Sequence, residues 1–205
     1  MKLKNKFVTV TGGHGFIGRH IVRELQQHGA EITVLDDCSS GHSAPEGVKL
    51  VEGDVRSGRD AEKAIPEGTD YVIHAAVRCV RMSESDPHGV FTVNANGTLT
   101  VGLRAAEIGA RFVYMSSSEV YGNLVEGPMS ETHYTYPNTI YGAGKLAGEA
   151  VIKSLNRQKG IAACIVRPFN AYGPESHVEG IRGEVIPRWI SAAIERQPFV
   201  VHGSI

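Results

Sequence analysis

Residues Thr11–Gly18 read TGGHGFIG and lie between a short β-branched run and a longer amphipathic run. The glycines satisfy the spacing GxGxxG when counted from Gly13 and the spacing TGxxGxxG when counted from Thr11. Glycine lets the backbone turn tightly and approach a pyrophosphate, whose charge faces the N–H groups and the dipole at the start of the next helix. Gly18, inside that helix, is expected to let the helix approach the strand. This context predicts dinucleotide binding rather than an ordinary glycine-rich turn.

The rest of the chain alternates short apolar runs with longer amphipathic runs. The strand-like runs are Phe7–Val10, Glu31–Leu35, Val48–Val51, Tyr71–His74, Arg111–Met115 and Ala162–Val166. The helical patterns are Phe16–His28, about Pro87–Ile108 and about Ile140–Lys159. This alternation predicts an α/β fold, with a doubly wound Rossmann-type parallel sheet and helices on both of its faces. The ligand crevice is then expected at the carboxyl ends of the strands.

The composition excludes several classes of protein. The 205 residues carry a formal net charge of −1, which argues against a nucleic-acid partner or an anionic membrane surface. No apolar run approaches the roughly 20 residues that cross a bilayer. The three cysteines are scattered and lack metal-ligand spacing, which predicts reduced thiols in a cytoplasmic protein. The nine histidines show no HExxH or HxH pairing, so we expect no catalytic metal.

Two carboxylates follow predicted strands at places where an adenosine would lie. Asp36 ends the second strand, where a carboxylate can accept the ribose hydroxyls and repel a 2′-phosphate, so NAD is favoured over NADP. The alternative is that Asp36 caps the loop that follows it. Asp54, in the sequence Gly53–Val55, accepts either the adenine amino group or, as a helix N-cap, a backbone N–H. The sequence leaves both alternatives open for each carboxylate.

Tyr141 and Lys145 are spaced i, i+4 in a predicted helix and therefore share one of its faces. The pKa of tyrosine is ordinarily about 10, too high for a base at neutral pH, and a neighbouring cation lowers it. The fifth strand ends in the hydroxyls of Ser116–Ser118, one of which can hold a substrate oxygen. Removing hydride from a carbinol requires such a base. The alternative is a solvated helix pair beside a polar loop.

Taken together, these motifs resemble those of the extended short-chain dehydrogenase/reductases, specifically the NAD-dependent sugar-nucleotide epimerase/dehydratase family. The resemblance runs through the whole chain in order. The segments that carry it are Thr11–Gly18, Val34–Asp37, Gly53–Val55, Val72–Ala76, Asn94–Thr98, Ser116–Gly122, Tyr141–Lys145 and Arg167–Pro174.

The resemblance implies an NAD that stays bound and is reused, and it assigns roles by position. Tyr141 is the base, Lys145 its partner, Ser117 the catalytic hydroxyl and Glu119 an acid/base residue. Cofactor contacts fall on Gly12, Gly15, Phe16, Ile17, Gly18, Asp36, Asp54, Val55, Ala75, Ala76, Asn94, Tyr141 and Lys145. Substrate contacts fall on Ser117, Ser118 and Asn170.

The implied reaction begins with oxidation at C4 of a UDP-, dTDP- or GDP-linked sugar to a 4-keto intermediate. Our first expectation is an epimerase. A 4,6-dehydratase or a UDP-glucuronate decarboxylase is the alternative, because such enzymes often carry Glu at the position of Glu119. Ser118 stands where many dTDP-glucose dehydratases have Asp, and Tyr141–Glu149 looks more like an epimerase. A truncated NAD-binding protein without turnover and a reductase of a small carbonyl remain as other classes.

The resemblance also implies an organisation into domains and subunits. Residues 1–175 are expected to form the NAD-binding Rossmann domain with the catalytic residues, and residues 176–205 to begin a substrate-binding domain. Family members normally continue well beyond this length, so that C-terminal domain is expected to be truncated. They usually form homodimers through a four-helix bundle, here from about Pro87–Ile108 and Ile140–Lys159. Core packing explains the apolar stripes of these segments equally well.

Overall fold

The computed structural model describes residues 3–41, 45–124, 127–178, 180, 183–199 and 201. These residues form one parallel six-stranded sheet in the order β3-β2-β1-β4-β5-β6. The strands are β1 (Phe7–Thr11), β2 (Glu31–Asp36), β3 (Lys49–Glu52), β4 (Tyr71–His74), β5 (Arg111–Met115) and β6 (Ala163–Val166). The order reverses between β1 and β4, which is where a doubly wound sheet opens its crevice. The predicted fold class and all predicted strands are confirmed, with boundary differences of at most one residue at either end.

Six α-helices connect or follow the strands in the described part of the chain. They are α1 (Phe16–Gln27), α2 (Gly58–Ala64), α3 (Pro87–Phe91), α4 (Gly97–Glu107), α5 (Ile140–Lys159) and α6 (Val185–Ile194). Single 3₁₀ turns lie at Val80–Met82 and Ser118–Val120. The predicted bounds of α5 are confirmed, and its ends are set by the Thr139 N-cap and the left-handed Gly160.

The predicted single helix Pro87–Ile108 is wrong in one respect. A π-helical turn, Thr92–Asn96, separates α3 from α4. The wider turn carries Asn94 and Ala95 into the interior, and such π turns often lie at functional sites. Periodicity could not indicate it, because one wide turn hardly changes the apolar pattern of the whole segment.

Two helices were not predicted. The short helix α2 has the polar sequence GRDAEKA and buries only Ala61 and Ala64, so it lacks a readable apolar stripe. Its start is marked by Ser57, whose side chain accepts the N–H of Asp60. The helix α6 contains Pro187 in its first turn, where proline needs no hydrogen-bond partner for its nitrogen.

The core consists of one apolar layer on each face of the sheet. On one face, the β1 and β2 valines pack against Val22 of α1, and the cluster comprises Val8, Val10, Val22, Ile32 and Val34. The other face is covered by α2, α4 and α5, where Val101 and Ile152 meet residues such as Val72 and Phe112. Helices on both faces bury the central strands, whereas the edge strands β3 and β6 are mostly exposed.

The chain divides into two compact units, Met1–Phe169 and Asn170–Ile205. The first unit holds the whole sheet and the helices α1 to α5. The second holds α6, whose Arg188 donates hydrogen bonds to the carbonyl oxygens of Val178 and Gly180 at 3.0 and 2.7 Å. The predicted division at residue 175 falls inside the second unit, and 202–205 of the predicted second domain lie outside the described residues.

Two further features concern the helices and the cysteines of the described residues. Within the described ranges, no helix has the length and apolar character that crossing a bilayer requires. Cys38, Cys79 and Cys164 are free thiols.

Candidate active site

The glycine turn after β1 is held against two neighbouring strands. The Gly12 N–H donates to the Leu35 carbonyl at 2.8 Å, and the Gly15 N–H donates to the Gly12 carbonyl at 3.1 Å. Gly12 has a φ of +71°, and a Cβ on it would lie 2.6 Å from the backbone of Ala76. A Cβ on Gly18 would overlap the Gly12 carbonyl. Gly18 therefore lets α1 approach the turn itself, rather than the strand as we expected.

The first turn of α1 is suited to binding an anion. Gly15 is its N-cap in extended conformation, no side chain of the described residues caps it, and its first turn carries no acidic residue. The first N–H groups of a helix, here those of Phe16, Ile17 and Gly18, lack intrahelical partners. Together with the glycine-lined turn, these groups fit the pyrophosphate of a dinucleotide.

Asp36 lies at the end of β2 beside this turn and is buried. Its two carboxylate oxygens accept the N–H of His14 at 2.9 Å and the N–H of Cys38 at 2.8 Å. Asp36 therefore caps the loop that follows it, as the alternative predicted. Each carboxylate oxygen has a second lone pair, so the ribose role stays a prediction.

Asp54 is engaged by a neighbouring guanidinium. Arg56 donates to both of its carboxylate oxygens from Nε at 3.0 Å, and these bonds hold the pKa of Asp54 below its ordinary value. The N-cap alternative for Asp54 is wrong, because Ser57 caps α2 and accepts the N–H of Asp60 at 3.3 Å. Val55 is a buried core side chain, so only its backbone remains for the predicted adenine contact.

The segment after β4 passes directly beside the glycine turn, and the predicted contact of Ala75 and Ala76 with the cofactor stays a prediction. The Ala75 N–H donates to the Thr11 carbonyl at 3.1 Å, and the Ala76 N–H donates to Thr11 Oγ1 at 3.2 Å. Both residues are half-buried. The segment after β4 is therefore joined to the end of β1 by one backbone hydrogen bond and one bond to a side-chain hydroxyl.

His74, which the sequence did not single out, continues this connection into the protein. Its Nδ1 lies 2.7 Å from Thr11 Oγ1, and its Nε2 lies 3.1 Å from Thr98 Oγ1. Thr98 donates its own proton to the Asn94 carbonyl at 2.7 Å, so His74 must donate to Thr98 from Nε2. Nδ1 then accepts the proton of Thr11, whose oxygen accepts the N–H of Ala76. One hydrogen-bonded chain thus links β1, β4 and α4.

The His74 ring is neutral in this series of hydrogen bonds. It is completely buried and stacks on the Tyr114 ring with 5.9 Å between centroids. Burial and the nearby Lys145 charge lower the pKa of His74 to about 3. The Nε2–H tautomer of the neutral ring is the form that satisfies both threonines.

Asn94 holds the loop after β4 in place with two hydrogen bonds. It lies in the π turn, 1% exposed, and accepts the N–H of Arg78 at 3.0 Å while donating to the Arg78 carbonyl at 3.2 Å. Arg78 in turn donates to Asp86, the N-cap of α3, at 2.7 Å. The predicted contact between Asn94 and the cofactor therefore stays a prediction, and what the side chain does here is hold a loop.

Lys145 is buried against the end of β5. It is 2% exposed, its Nζ donates to the Met115 carbonyl at 2.6 Å, and Nζ lies 5.2 Å from the centroid of the Tyr114 ring. Burial lowers the pKa of Lys145 from 10.5 to about 7. Tyr141 is half-buried one turn earlier in α5, where its N–H donates to Ser83 Oγ at 3.2 Å. The alternative of a solvated pair is wrong for Lys145.

Ser117, Ser118 and Glu119 form the turn that leaves β5. Ser117 is buried, and its Oγ accepts the Glu119 N–H at 3.2 Å, which caps the 3₁₀ turn. The Ser118 N–H donates to the Pro168 carbonyl at 3.0 Å. Glu119 accepts a hydrogen bond of 3.4 Å from Thr139, the N-cap of α5. The structure thus brings the predicted Ser117 and Glu119 together at the carboxyl edge of the sheet.

A buried ion pair supports this edge and was missed by the sequence analysis. Glu149 is 0% exposed, and Arg167 donates to both of its oxygens at 2.7 Å, while Ser116 donates at 2.7 Å. Burial alone would raise the pKa of Glu149, but these hydrogen bonds hold it below its ordinary value. The available signal was the i, i+4 spacing that continues from Tyr141 through Lys145 to Glu149.

Asn170 is the first residue of the second unit, and it is exposed. Its predicted contact with the substrate stays a prediction.

Comparison with known proteins agrees with the geometry of this site. Residues 8–205 match the model of the NAD dependent epimerase/dehydratase family. The chain belongs to this family. Members of this family use NAD. The glycine turn and the uncapped start of α1 are where NAD fits in this chain.

Relatives within the NAD dependent epimerase/dehydratase family catalyse different reactions. The chain is 30% identical, over 99% of its length, to UDP-glucuronic acid decarboxylase 2 of Arabidopsis thaliana. It superposes with a TM-score of 0.90 and 31% identity, over 98% of its length, on a UDP-N-acetylglucosamine 4-epimerase of Methanobrevibacter ruminantium solved with UDP-N-acetylmuramic acid. It superposes with a TM-score of 0.82 and 29% identity, over 93% of its length, on DesIV, a dTDP-glucose 4,6-dehydratase of Streptomyces venezuelae solved with NAD.

The chain is shorter than these family members. It spans 47% of the decarboxylase, 66% of the solved epimerase and 62% of the solved dehydratase.

Proposed function

We propose that the protein is an NAD-dependent epimerase of a nucleotide-linked sugar, acting through a 4-keto intermediate. The observation that carries this proposal is the burial of Lys145 against the end of β5, on the helical face that it shares with Tyr141. A surface helix pair would not keep an ammonium 2% exposed. A cation placed beside a phenol at the sheet edge has a chemical use, since it favours the phenolate.

The chain's own residues offer contacts along the whole length of an NAD molecule. Backbone N–H groups of Phe16 and Ile17, in the turn formed by Gly12, Gly15 and Gly18, would bind the pyrophosphate. Asp36 would bind the adenosine ribose, Asp54 and the Val55 backbone the adenine. Ala75, Ala76 and the loop held by Asn94 would border the nicotinamide half. Bound NAD would supply the hydride acceptor for the oxidation at C4.

The proton that leaves the sugar hydroxyl requires a base in the protein. Tyr141 would take it, and Lys145 would stabilise the resulting phenolate and hold the nicotinamide ribose. The Ser117 hydroxyl, already fixed by its bond to the Glu119 N–H, would hold the substrate oxygen, and Ser118 would add a second hydroxyl. Asn170 would contact the nucleotide diphosphate.

A dehydratase or decarboxylase is the second candidate, and Glu119 favours it. This carboxylate lies in the same turn as Ser117 and contacts only the Thr139 hydroxyl among its described hydrogen bonds. A carboxylate beside a 4-keto sugar can serve as the acid or base of an elimination. The Arabidopsis relative is itself a decarboxylase.

Product mass separates these possibilities. Purified protein would be incubated with UDP-, dTDP- and GDP-linked sugars. An unchanged mass with altered stereochemistry supports the epimerase, loss of water the dehydratase, and loss of carbon dioxide the decarboxylase. Bound NAD without turnover of any sugar nucleotide would favour a non-catalytic NAD-binding protein and contradict the proposal.

We also propose a homodimer and a cytoplasmic location. Phe91, Leu99 and Leu103 on α3 and α4 are exposed although apolar, and with α5 they would form half of a four-helix bundle. Introducing charge by Leu99→Glu and Leu103→Glu should convert a dimer to a monomer in sedimentation. An unaltered sedimentation coefficient would contradict this interface.

The free thiols support the proposed cytoplasmic location, because thiols stay reduced in such a compartment.

A further inference from the structure

Three side chains of different types meet where the glycine turn faces the loop after β2. His14 belongs to the turn, Asp36 ends β2, and Cys38 follows two residues later. One ligand atom from each lies within 4.8 Å of the others. His14 and Asp36 are buried and Cys38 is partly exposed, so the cluster has a protein side and a solvent side.

The distance between the two softer ligand atoms matches a metal site. Cys38 Sγ lies 3.5 Å from His14 Nδ1. In a tetrahedral Zn²⁺ site with a Zn–S bond of about 2.3 Å and a Zn–N bond of about 2.0 Å, these two atoms lie about 3.5 Å apart. The sulfur and nitrogen therefore need almost no movement to share one ion, and the carboxylate oxygen lies within 4.8 Å of both.

The cluster is also organised before any ion binds. Asp36 accepts the backbone N–H of His14 with one oxygen and that of Cys38 with the other, at 2.9 and 2.8 Å. The third ligand thus fixes the backbones of the first two. Cys38 has a φ of +57°, a conformation that costs energy for a residue other than glycine and that often occurs at functional sites.

The His14 imidazole is buried, and the thiol of Cys38 lies beside one of its two nitrogens. It is 2% exposed, and its Nε2 has no hydrogen-bond partner in the described part of the chain. The polar contact described for its ring is the one from Nδ1 to the thiol. Nδ1 is thus the ring nitrogen that faces the cluster and is placed to contact an ion there.

We propose that His14, Asp36 and Cys38 bind a thiophilic divalent cation of the Zn²⁺ class, and that the ion and NAD exclude each other. Nδ1, one carboxylate oxygen and the thiolate would be the protein ligands, with water in the fourth position. Cys38 loses its proton to solvent when the S–metal bond forms, so affinity rises with pH. The exclusion rests on the proposed function, because it assigns the same Asp36 carboxylate to the adenosine ribose.

The test uses Co²⁺ as a spectroscopic substitute in purified protein freed of metal and nucleotide. A thiolate-to-cobalt charge-transfer band that saturates at one ion per chain, and that Zn²⁺ abolishes by displacement, is the expected result. Cys38→Ser should abolish the band, and His14→Gln should weaken cobalt binding at least tenfold. Cys164→Ser, at an exposed thiol outside the cluster, is the matched control and should keep the band.

The outcomes separate this inference from the proposed function. A wild-type protein without the band, or a band that persists in Cys38→Ser, would overturn the metal site. NAD added to the cobalt-loaded protein should remove the band, and a band that survives at saturating NAD would overturn the exclusion while leaving NAD binding intact. Failure of metal-free protein to bind NAD would instead count against the proposed function, with the cobalt result unaffected. Circular dichroism confirms that each variant is folded.

Discussion

Lys145 and Met115 are joined by a hydrogen bond of 2.6 Å from the buried Nζ to the backbone carbonyl at the end of β5. This bond fixes the ammonium at the carboxyl edge of the sheet, next to the turn that carries Ser117. Because the charge has little water around it, burial lowers the pKa of Lys145 to about 7. Burying this ammonium group therefore costs folding stability.

That cost predicts a pH-dependent stability difference between the wild type and Lys145→Met. Below about pH 7 the lysine is charged in both the folded and the unfolded states, so the full penalty is present. As the pH rises from about 7 toward 10.5, the folded state becomes neutral first and the penalty disappears. Lys145→Met should therefore be more stable than wild type near pH 7, by no more than about 5 kcal/mol.

Urea unfolding of nucleotide-free protein at several pH values measures this difference. The advantage of Lys145→Met should shrink with rising pH. Lys153→Met, at a mostly exposed position two turns later, is the control and should not show this trend. If the difference in the free energy of unfolding stays constant across the pH range, the buried charge of Lys145 does not destabilise the fold.

Tyr141→Phe removes a hydroxyl and little volume. If Tyr141 is the base, turnover of the protein's sugar nucleotide should fall by about 100-fold or more, while the affinity for NAD stays within about twofold. Steady-state kinetics and NAD titration measure the two effects. Tyr136→Phe, at an exposed tyrosine, should leave both unchanged. Full activity in Tyr141→Phe would show that the assigned role is wrong.

Asp36→Asn keeps a side chain of the same size and one acceptor for the loop, but removes the charge. We expect NAD to bind roughly tenfold more weakly, because hydrogen bonds to a charged acceptor contribute about 1.5 kcal/mol or more. NADP should gain relative to NAD, since its 2′-phosphate is no longer repelled. Titration with both cofactors measures the ratio, and Asp37→Asn next to it is the control. Unchanged affinity for both cofactors would refute the ribose assignment.

His74→Phe tests the hydrogen-bonded chain between Thr11 and Thr98. The phenyl ring fills the space but leaves two buried hydroxyls without their partner, which should cost about 2–4 kcal/mol of the free energy of unfolding. Because these hydrogen bonds also hold Ala76 beside the glycine turn, the affinity for NAD should fall in the folded variant. His28→Phe, at an exposed histidine, should change the free energy of unfolding by less than about 0.5 kcal/mol.

The nitrogen chemical shifts of the His74 ring test the same hydrogen bonds independently. Wild-type His74 should remain the neutral Nε2–H tautomer throughout the range from pH 5 to 8, in accord with its pKa of about 3. Titration of His74 within that range, or an Nδ1–H tautomer, would contradict the donor directions that we assign.

The fold and part of the site were readable from local sequence. The six strands and α5 follow from runs of apolar residues whose period is a property of neighbouring positions. The glycine turn follows from the backbone freedom of Gly12, which has a positive φ, and from the small size of Gly18. Tyr141 and Lys145 share a face because of helical spacing alone. These features depend on residues a few positions apart.

Local sequence could not reveal the π turn at Thr92–Asn96, because one wide turn gives a signal smaller than the variation of the pattern around it. The capping of α2 by Ser57 did have a local signal, the spacing of Ser57 and Asp60, which the prediction did not use. The sequence also left Asp36 and Asp54 with two roles each, because a carboxylate at a strand end has several possible partners. The structure excluded the N-cap role of Asp54, because Ser57 caps α2, and the adenine contact stays a prediction.

The sequence by itself determined the α/β sheet, the anion-binding turn and the pairing of a phenol with an ammonium on one helix. The tertiary structure decided which distant groups share a buried environment: His74 with Thr11 and Thr98, Glu149 with Arg167, and His14 with Cys38. The physical reason is that these contacts join residues from different elements, which the order of strands and the close packing of helices bring together. Burial then sets their charge, as the lowered pKa values of His74 and Lys145 show, and burial is a property of the folded chain alone.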